Sequence, residues 1–524
     1  MNLLSPGGGD GTGSPVVSIW VLGDQLWMDQ AALAGADPSR SVVLMVESRG
    51  RGTRRRYHQQ KLVLVYSAMR HFAAALQARG WRVDYHRGED TPAFVDALHR
   101  HVRQFQPAAI RVMQPSDWAT TEALPVWSRQ AGVRIETIPS NQFLVPREEF
   151  REWAGSSRHL LMENHYRRVR RKLGILVDAA GQPEGGRWNL DAENRRTVAQ
   201  WKKDGSPRPA APLREVPDAI TREVIGWVER EFAGHPGRAD GFWLPVDAAG
   251  ARRWLAAFVE ERLGRFGPYE DLMLAGEPTL FHSVLSPLLN LGLLTPMECV
   301  ATAVGAWRAG RAPLESVEGF VRQVIGWREF IHGVYWLRMP GYTALNALEA
   351  RRPLPAWFWT GETDLQCLRQ CLRQVIDTGY NHHIQRLMVL GNFLLLAGVE
   401  PGEALGWFNE MYVDAHDWVM AANVIGMVLH ADGGFMASKP YAASGAYLSR
   451  MSDYCQGCRY RPTEKSGPDA CPFNPLYWDF IGRHARRFAS NPRLAVMVRS
   501  WEGKPAAEKA SLQAAAARFL DGMG

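Results

Sequence analysis

The spacing of apolar residues changes once along this 524-residue chain, and the change restricts the folds that the chain can adopt. Up to about residue 142, short runs of β-branched and apolar residues alternate with amphipathic segments, such as residues 41–46 and residues 61–79. Beyond about residue 266, apolar residues recur every three to four positions, which is typical of helices. We therefore predict an α/β domain with a doubly wound parallel sheet, followed by an all-helical domain.

The same patterns set the expected elements and domain boundaries. Strands are predicted at residues 16–22, 41–46, 81–86, 110–113 and 133–138, and later helices at residues 316–337, 365–377, 384–397 and 401–414. No Gly-x-Gly-x-x-Gly motif follows the first strand, which disfavours a dinucleotide bound there in the usual way. The expected order is a flexible tail, an α/β domain, a basic connector, a helical domain and a C-terminal helix or tail, at residues 1–15, 16–142, 143–265, 266–505 and 506–524.

Positive charge is concentrated in the expected connector. The chain has a net charge of +7, and residues 151–203 alone hold 12 basic and 6 acidic residues, a local excess of +6. Such a concentration suits contact with a phosphate backbone, although a solvated helix face explains it equally well. The longest apolar stretch, residues 387–399, contains Gly and Asn and is too short to span a bilayer. Because the N-terminus also lacks a signal-peptide pattern, we expect a cytoplasmic protein without a membrane segment.

Five of the six cysteines fall in two groups, and three from one group with a fourth from the other would supply four ligands to a metal site. Cys455, Cys458 and Cys471 lie in one turn-rich segment, and Cys367 and Cys371 are one turn apart on a predicted helix. Disulfides are rare in the cytoplasm, so such a group indicates metal or redox chemistry. Four thiolates suit either zinc or a [4Fe–4S] cluster. Cys471 stands alone rather than in a second Cys-x-x-Cys pair and is followed by Pro, which favours the cluster. A zinc site and the absence of any metal are the alternatives.

Two adjacent histidines stand at the start of a predicted helix. The helix is expected to begin near Tyr380 and Asn381, and Arg386 falls on the same face as His382 and His383. A helix N-terminus shifts the pKa of an imidazole, which suits proton donation. The alternative is that the two histidines are polar capping residues of the helix without a chemical role.

Acidic and amide side chains follow among small residues. Asp414, Asp417 and Asn423 are spaced so that a flat cofactor could approach closely, and Arg386 is predicted to pair with one of the aspartates. Arg328, beside Trp327 on another helix, offers a second cation.

Several segments together resemble the photolyase/cryptochrome superfamily, and within it the bacterial branch that carries an iron–sulfur cluster. They are residues 23–26 (GDQL), 68–72 (AMRHF), 186–194 (GRWNLDAEN), 285–287 (LSP), 327–329 (WRE), the double-histidine stretch, 433–445 (GGFMASKPYAASG) and the cysteine loop. The resemblance extends from about residue 18 to residue 501. It implies an antenna-type α/β domain, a helical domain that binds FAD, and repair of (6-4) photoproducts.

The resemblance also implies roles for individual residues. A [4Fe–4S] cluster would be held by Cys367, Cys455, Cys458 and Cys471, which leaves Cys371 over. The histidines needed for repair correspond to His382 and His383. The implied FAD-binding residues are His282, Ser283, Leu285, Ser286, Gln323, Arg328, Arg386, Asp414, Asp417 and Asn423. An electron relay to the flavin matches Trp359 and Trp407, and positions close to bound DNA match Asp191, Arg195 and Tyr441.

Three positions depart from the pattern of this branch. Phe408 follows Trp407 where Tyr is common, and Met420 stands where Glu is expected beside the flavin, so photoreduction and flavin protonation are expected to differ. Arg54 replaces an acidic residue three positions before Tyr57, a pair that belongs to the lumazine antenna site of the branch. We therefore expect FAD and iron but little or no lumazine.

The implied activity is light-driven DNA repair. Excited reduced FAD would donate an electron to the flipped lesion, and a histidine would donate a proton. UV-damaged DNA is the expected partner, and the protein is expected to act as a monomer. The alternatives are a cryptochrome-like photoreceptor without repair activity, a cyclobutane-dimer photolyase, and an iron–sulfur nucleic-acid-binding module like the large primase subunit.

Overall fold

A parallel sheet forms where short β-branched and apolar runs recur near the start of the chain. The computed structural model describes residues 17–157 and 160–523, so the expected tail at residues 1–15 lies outside the described residues. Within them, the strands of the sheet are β1 (Val17–Val21), β2 (Ser41–Val46), β3 (Arg82–His86), β4 (Ala109–Met113) and β5 (Arg134–Ile138). Their order is β3-β2-β1-β4-β5 and every pairing is parallel. The predicted doubly wound parallel sheet is confirmed.

The sheet belongs to the first of two compact units, which runs to Arg51 and then from Met69 to Asn141. The helices Phe94–Phe105 and Trp118–Ala131 bury apolar faces in a core with strand side chains such as Trp20 and Leu44. β2 is buried along its whole length, as expected for a central parallel strand covered on both faces.

The second unit comprises Gly52–Ala68 and Gln142–Gly524 and is helical. Two helices, Arg49–Thr53 and Gln59–Ala78, include residues of both units. The helices of the second unit are Arg147–Ser156, Met162–Leu173, Val198–Lys203, Ala219–Glu231, Ala248–Glu261, Leu263–Tyr269, Ser286–Leu291, Pro296–Arg308, Leu314–Val321, Arg328–Arg338, Trp357–Thr360, Gln366–Thr378, Asn392–Ala397, Pro401–Met411, Asp417–Met420, Gly445–Met451, Phe473–Arg483, Ala485–Phe488, Ala495–Glu502 and Ala506–Asp521. Several of them lie within residues 143–265, so the segment expected as a connector is largely helical.

Some predicted boundaries differ from the structure for local reasons. The helix predicted to reach Asp414 ends at Met411, because Tyr412 has extended backbone angles (φ −101°, ψ 132°). The helix expected to begin near Tyr380 begins at His383. Among the described residues, no helix is both long enough and apolar enough to cross a membrane.

Three π-helical turns interrupt the helices of the second unit, at Arg322–Trp327, Gln385–Gly391 and Ala421–Val428. A π turn inserts a residue and shifts the side chains that follow, at a cost in hydrogen-bond geometry, and such turns are frequent at functional sites. Each of these turns contains one residue that the sequence assigns to cofactor binding. The helices therefore depart from regular geometry where a cofactor site is expected.

Candidate active site

A buried ion pair stands at the centre of the site. Arg386 donates two hydrogen bonds to the carboxylate of Asp414, at 2.9 and 3.0 Å, as the sequence predicts. The Ser286 hydroxyl donates to the same carboxylate (2.6 Å), and the Arg386 guanidinium lies 4.0 Å from the centre of the Tyr412 ring. Burial raises the pKa of Asp414, but Arg386 and Ser286 outweigh it and hold that pKa below its ordinary value. The carboxylate is therefore charged and rigidly held.

The loop that leads into the helix Ser286–Leu291 has a strained backbone. Leu280 and Val284 have positive φ angles of 43° and 58°, a left-handed conformation that non-glycine residues rarely adopt. Strain of this kind costs roughly 1–3 kcal/mol per residue and is concentrated at ligand sites. The predicted cofactor residues Ser283 and Leu285 flank Val284.

The two adjacent histidines lie in different surroundings. His382 is completely buried and stacks on His282, with 4.4 Å between ring centres and 13° between planes. The His282 ring donates to the Glu270 carbonyl (3.0 Å), whereas within the described residues neither ring nitrogen of His382 has a hydrogen-bond partner. His383 is exposed, yet burial and then Arg386 lower its pKa to about 4. The ring is therefore accessible, while its surroundings disfavour its protonated form.

Other predicted cofactor residues surround this centre less tightly. The exposed Gln323 amide donates to the Gly319 carbonyl (3.3 Å), and the Asn423 amide donates to the Val419 carbonyl (2.9 Å). Asp417 is half-buried at the start of its helix. Since both amides bond only within their own helices here, their role toward a cofactor stays a prediction.

Arg328 takes part in a different buried cluster. It donates to Glu329 (2.9 Å), and its guanidinium lies 4.3 Å from the Phe143 ring and 5.4 Å from the Trp418 ring. Burial lowers the pKa of Arg328, and Glu329 opposes that shift. The assignment of Arg328 to cofactor binding therefore stays a prediction, and its hydrogen-bond partners are Glu329 and the carbonyl of Gln142 (3.4 Å).

The two predicted relay tryptophans are linked through the protein backbone. Trp407 is buried, and its indole N–H donates to the carbonyl of Phe358 (3.2 Å), the residue before Trp359. Trp407 also meets the Tyr412 ring edge-on at 5.8 Å, the same ring that lies under the central guanidinium. Trp359 is half-buried, and the Arg56 guanidinium lies 5.8 Å from its ring. Trp359 is thus connected to Trp407 through the Phe358 backbone, and Trp407 to the ion pair through the Tyr412 ring.

The predicted metal-binding cysteines converge on one region of the second unit. Burial first, and then the neighbouring thiols of Cys371, Cys455, Cys458 and Cys471, raise the pKa of Cys367 well above its ordinary value. Among the described residues, no three His, Cys, Asp or Glu side chains are arranged to hold a single metal ion. The thiols therefore lie near one another without forming a single-ion site.

The three residues predicted to lie close to DNA are brought together. Arg195 pairs with Asp191, and both contribute to the electrostatic surroundings of the half-buried Tyr441 hydroxyl. Asp271, which sequence reasoning missed, belongs to the same group: burial raises its pKa to about 6, Arg195 lowers it and Asp191 raises it. Only its spatial neighbours reveal it, because its sequence surroundings carry no motif.

Two further cations beside this group also escaped sequence reasoning. Lys439 has a lowered pKa, through burial and then repulsion from Arg493 and Arg195. Three crowded cations attract an anion such as a phosphate. By contrast, much of the basic charge at residues 151–203 is neutralised within the protein. Its ion pairs are Arg167–Glu163, Arg168–Glu149, Lys172–Glu149, Arg187–Glu193 and Arg196–Asp204. Arg195 also pairs with Asp191, so the cation group beside Tyr441 is itself partly neutralised.

Comparison with known proteins agrees with this geometry. Residues 19–244 match the family described as deoxyribodipyrimidine photo-lyase-related protein. The chain is 42% identical over 505 residues to the (6-4) photolyase of Agrobacterium fabrum, covering 96% of this chain and 98% of that protein. Its fold resembles a crystal structure of a bacterial class III photolyase from Agrobacterium tumefaciens (TM-score 0.54, 15% identity, 98% of this chain and 99% of that chain). It also resembles the Synechocystis cryptochrome (TM-score 0.55, 12% identity, 94% and 89%).

Proposed function

The chain belongs to the photolyase family of its Agrobacterium fabrum relative, and we propose that it repairs (6-4) photoproducts in UV-damaged DNA by light-driven electron transfer. The observation that carries this proposal is the position of His383, which is exposed and close enough to Arg386 of the Arg386–Asp414 ion pair to feel its charge. A substrate base that reaches this ring would meet a proton donor beside the proposed flavin site.

The residues around the ion pair fit FAD. The strained loop at residues 280–284 and the unsatisfied ring nitrogens of His382 indicate a site built for a polar ligand. In this proposal, Ser283 and the N-terminal end of the helix that begins at Ser286 would hold the phosphates, and Arg386, Asp414 and Asn423 would hold the isoalloxazine. When bound, reduced FAD supplies the excited electron that splits the lesion.

His383 donates the proton in this scheme. Its pKa of about 4 keeps the ring neutral at pH 7 while DNA is absent. Negative charge brought close to an imidazole favours its protonated form, so the phosphates of bound DNA would raise this pKa. His382 stacks on His282, and this contact orients the two adjacent histidines.

DNA contact is assigned to the group around Tyr441. Arg195, Lys439 and Arg493 repel one another in the ligand-free chain, and a phosphate between them would relieve that repulsion. These cations read no sequence, because phosphate contacts position a protein without specifying bases. A lesion would therefore be selected by how easily it leaves the duplex stack.

Electrons reach the flavin through Trp359 and Trp407 in this proposal. The hydrogen bond between Trp407 and the Phe358 carbonyl supports the path. Phe408 stacks on Tyr412 at 5.5 Å but has no hydroxyl proton to release, and Met420 is buried without an ionisable group. Both departures lead us to expect slower photoreduction than in relatives with Tyr and Glu.

A [4Fe–4S] cluster is proposed for the four cysteines named above. Cysteine binds a metal as the thiolate, and the metal displaces the thiol proton to solvent, so binding would offset the raised pKa of these thiols. Gly445 supports the fit, because a Cβ atom there would lie 2.9 Å from the Cys471 sulfur.

The remaining proposals concern the form in which the protein acts. We propose a monomer in the cytoplasm, where the thiols stay reduced. We also propose that the first unit is an antenna-type domain that carries little or no lumazine. We also propose the domain ranges predicted from the sequence, with the FAD and cluster domain at residues 266–505.

One experiment tests the activity. Purified protein is illuminated with two oligonucleotides, one with a (6-4) photoproduct and one with a cyclobutane dimer, and restored thymines are measured by chromatography. We expect restoration of the (6-4) substrate in the light and none in the dark. Restoration of the dimer alone would assign the other photolyase class, and no restoration with photoreducible flavin would indicate a photoreceptor.

A further inference from the structure

Three polar side chains form a buried hub between the cysteine loop and the histidine turn. We define the hub as Gln374, Gln385 and Tyr454. The two glutamine amides bond to each other reciprocally, with Gln385 Nε2 donating to Gln374 Oε1 (2.8 Å) and Gln374 Nε2 donating to Gln385 Oε1 (3.2 Å). Gln385 is 1% exposed and Tyr454 is 2% exposed, whereas Gln374 is half-buried, so the bond between Gln385 and Tyr454 is the best shielded from water.

One side of the hub faces the cysteines. The Gln385 amide donates to the Tyr454 hydroxyl (3.0 Å), and that hydroxyl is hydrogen-bonded to the Cys371 thiol. Tyr454 immediately precedes Cys455, and Gln374 stands on the helix Gln366–Thr378 that also carries Cys367. A displacement of the cysteine loop therefore reaches the hub through one side chain.

The other side of the hub faces the histidines. Gln385 Oε1 accepts a hydrogen bond from the His382 backbone N–H (3.0 Å), and Gln374 Nε2 donates to the Tyr380 carbonyl (3.0 Å). The π turn that starts at Gln385 directs its amide toward the hub. The backbone on both sides of Asn381 is thus held by hub residues.

A second connection runs in parallel through Asn381. Its amide donates to the Cys371 carbonyl (3.1 Å), and its side-chain oxygen accepts from the Tyr412 hydroxyl (2.8 Å). Its backbone carbonyl accepts from Arg386 Nε (2.7 Å). The helix that carries the upstream cysteines is therefore joined to the histidine turn by two independent sets of bonds.

We propose that Gln374, Gln385 and Tyr454 are positioning residues that couple the cysteine loop to the His382–His383 turn. The state of the loop then sets where the His383 ring stands, although no hub residue touches the substrate. This inference rests on the proposed function for its catalytic consequence, but the coupling itself is measurable without repair.

The test compares Tyr454→Phe with Tyr477→Phe, a control on the helix Phe473–Arg483 outside the hub. Hydrogen exchange is measured at residues 378–386, together with iron content, thermal midpoint and repair kinetics. We expect about fivefold faster exchange in Tyr454→Phe, the equivalent of one lost hydrogen bond, and no change in the control. We expect iron content to stay at the wild-type value.

The repair kinetics separate positioning from loss of structure. Displacing the proton donor slows the chemical step, so kcat should fall on the order of tenfold with KM unchanged. Gln385→Met should have a similar effect, and the double variant should be no slower than the slower single variant. If the effects of the two substitutions on kcat multiply in the double variant, the residues do not act through a shared hub. Unchanged exchange in Tyr454→Phe, or faster exchange with an unchanged kcat, would also overturn the proposal.

The two proposals fail in distinguishable ways. A wild-type chain that restores no (6-4) substrate overturns the proposed function, and the exchange comparison then decides the coupling alone. If Tyr454→Phe loses iron or folds poorly, Gln385→Met, which leaves the cysteine loop's own side chains intact, provides the deciding exchange measurement.

Discussion

Each of the two units contains a buried histidine cluster, and the two clusters differ in whether their ring nitrogens have hydrogen-bond partners. In the first unit, Ser18 Oγ lies 2.9 Å from His101 Nε2, and His101 Nδ1 lies 2.6 Å from Asp84. Both ring nitrogens have partners, and the Asp84 carboxylate is also bonded by His86 (3.0 Å). The arrangement resembles a hydrolytic triad, but Ser18 is 0% exposed, so no substrate could reach it.

The second unit contains the reverse case. His382 is equally buried, yet within the described residues its ring nitrogens have no partner, and the loop opposite it is strained. A satisfied network stabilises a fold, whereas an unsatisfied one costs about 1–3 kcal/mol for each buried polar group. The two clusters therefore differ in whether their ring nitrogens are hydrogen-bonded, and the second is the one that lies near Arg386 of the Arg386–Asp414 pair.

Removing the proposed proton donor should have the largest effect on repair and tests the comparison most directly. His383→Ala should reduce repair by at least about a hundredfold, since general acid catalysis contributes 10²–10⁴-fold. FAD should remain bound and photoreducible, and the thermal midpoint should not fall, because the ring makes no stabilising bond in the first place. Repair at a near wild-type rate, measured by chromatography of illuminated (6-4) oligonucleotide, would show that another group donates the proton.

The cysteine region gives the next largest effect. Cys458→Ser should yield protein with little iron and poor solubility, because losing one thiolate releases the loop from the helix at Cys367. Cys371→Ser should keep its iron, since a serine hydroxyl can still bond to Tyr454. Iron and sulfide per chain measure both variants. The reverse ranking would mean that Cys371 is the upstream ligand.

Sequence patterns predicted more of the fold than of the site. The parallel sheet followed because strands and helices alternate locally, and the family followed because several motifs occur together. The Arg386–Asp414 pair was also expected and is confirmed. These features depend on residue spacing or on recurring motifs.

The remaining features depend on contacts between distant segments. Nothing in the sequence separates the buried His382 from the accessible His383, because the difference comes from stacking on His282, a hundred positions away. Lys439 and Arg493 are likewise neighbours only after folding. The ion pairs of the basic segment at residues 151–203 were also not predictable, since its acidic partners include Glu149, outside the counted segment.

The first unit should show the opposite response to the loss of a histidine. His101→Ala leaves Ser18 and Asp84 without their central partner, so the free energy of unfolding should fall by about 2–3 kcal/mol. Denaturant unfolding followed by circular dichroism measures it, and repair per folded molecule should be unchanged. A stability equal to that of the wild type would show that this network, too, is unsatisfied in solution.

As the pH falls, the two histidine clusters should lose their contributions to stability at different pH values. Burial lowers the pKa of His282 to about 3 and that of His383 to about 4. Because their unfolded value is 6.5, unfolded chains bind more protons between pH 6.5 and about 4, and the second unit loses stability as the pH falls through that range. Burial raises the pKa of Asp84, but bonds from His101 and His86 lower it overall, so its contribution is lost only below its unfolded value of 3.8.

Hydrogen exchange at a series of pH values tests this order. Corrected for intrinsic rates, exchange at residues 378–386 should accelerate below pH 6.5, before the strands that carry Ser18 and Asp84 respond. Simultaneous acceleration in both segments would indicate that the protein opens as one cooperative unit.

The smallest effect expected is at the antenna. Arg54 is exposed, and its neighbour Arg56 donates to the Gly234 carbonyl (3.0 Å). The ribityl chain of a lumazine needs hydrogen-bond acceptors, and a guanidinium has five donors and no acceptor. Purified protein should therefore carry FAD with almost no lumazine, and repair should depend on flavin absorption alone. Acid extraction resolved by mass measures both chromophores: one lumazine per FAD would contradict the expectation, whereas recovery of lumazine in Arg54→Glu would identify the acceptor as the missing feature.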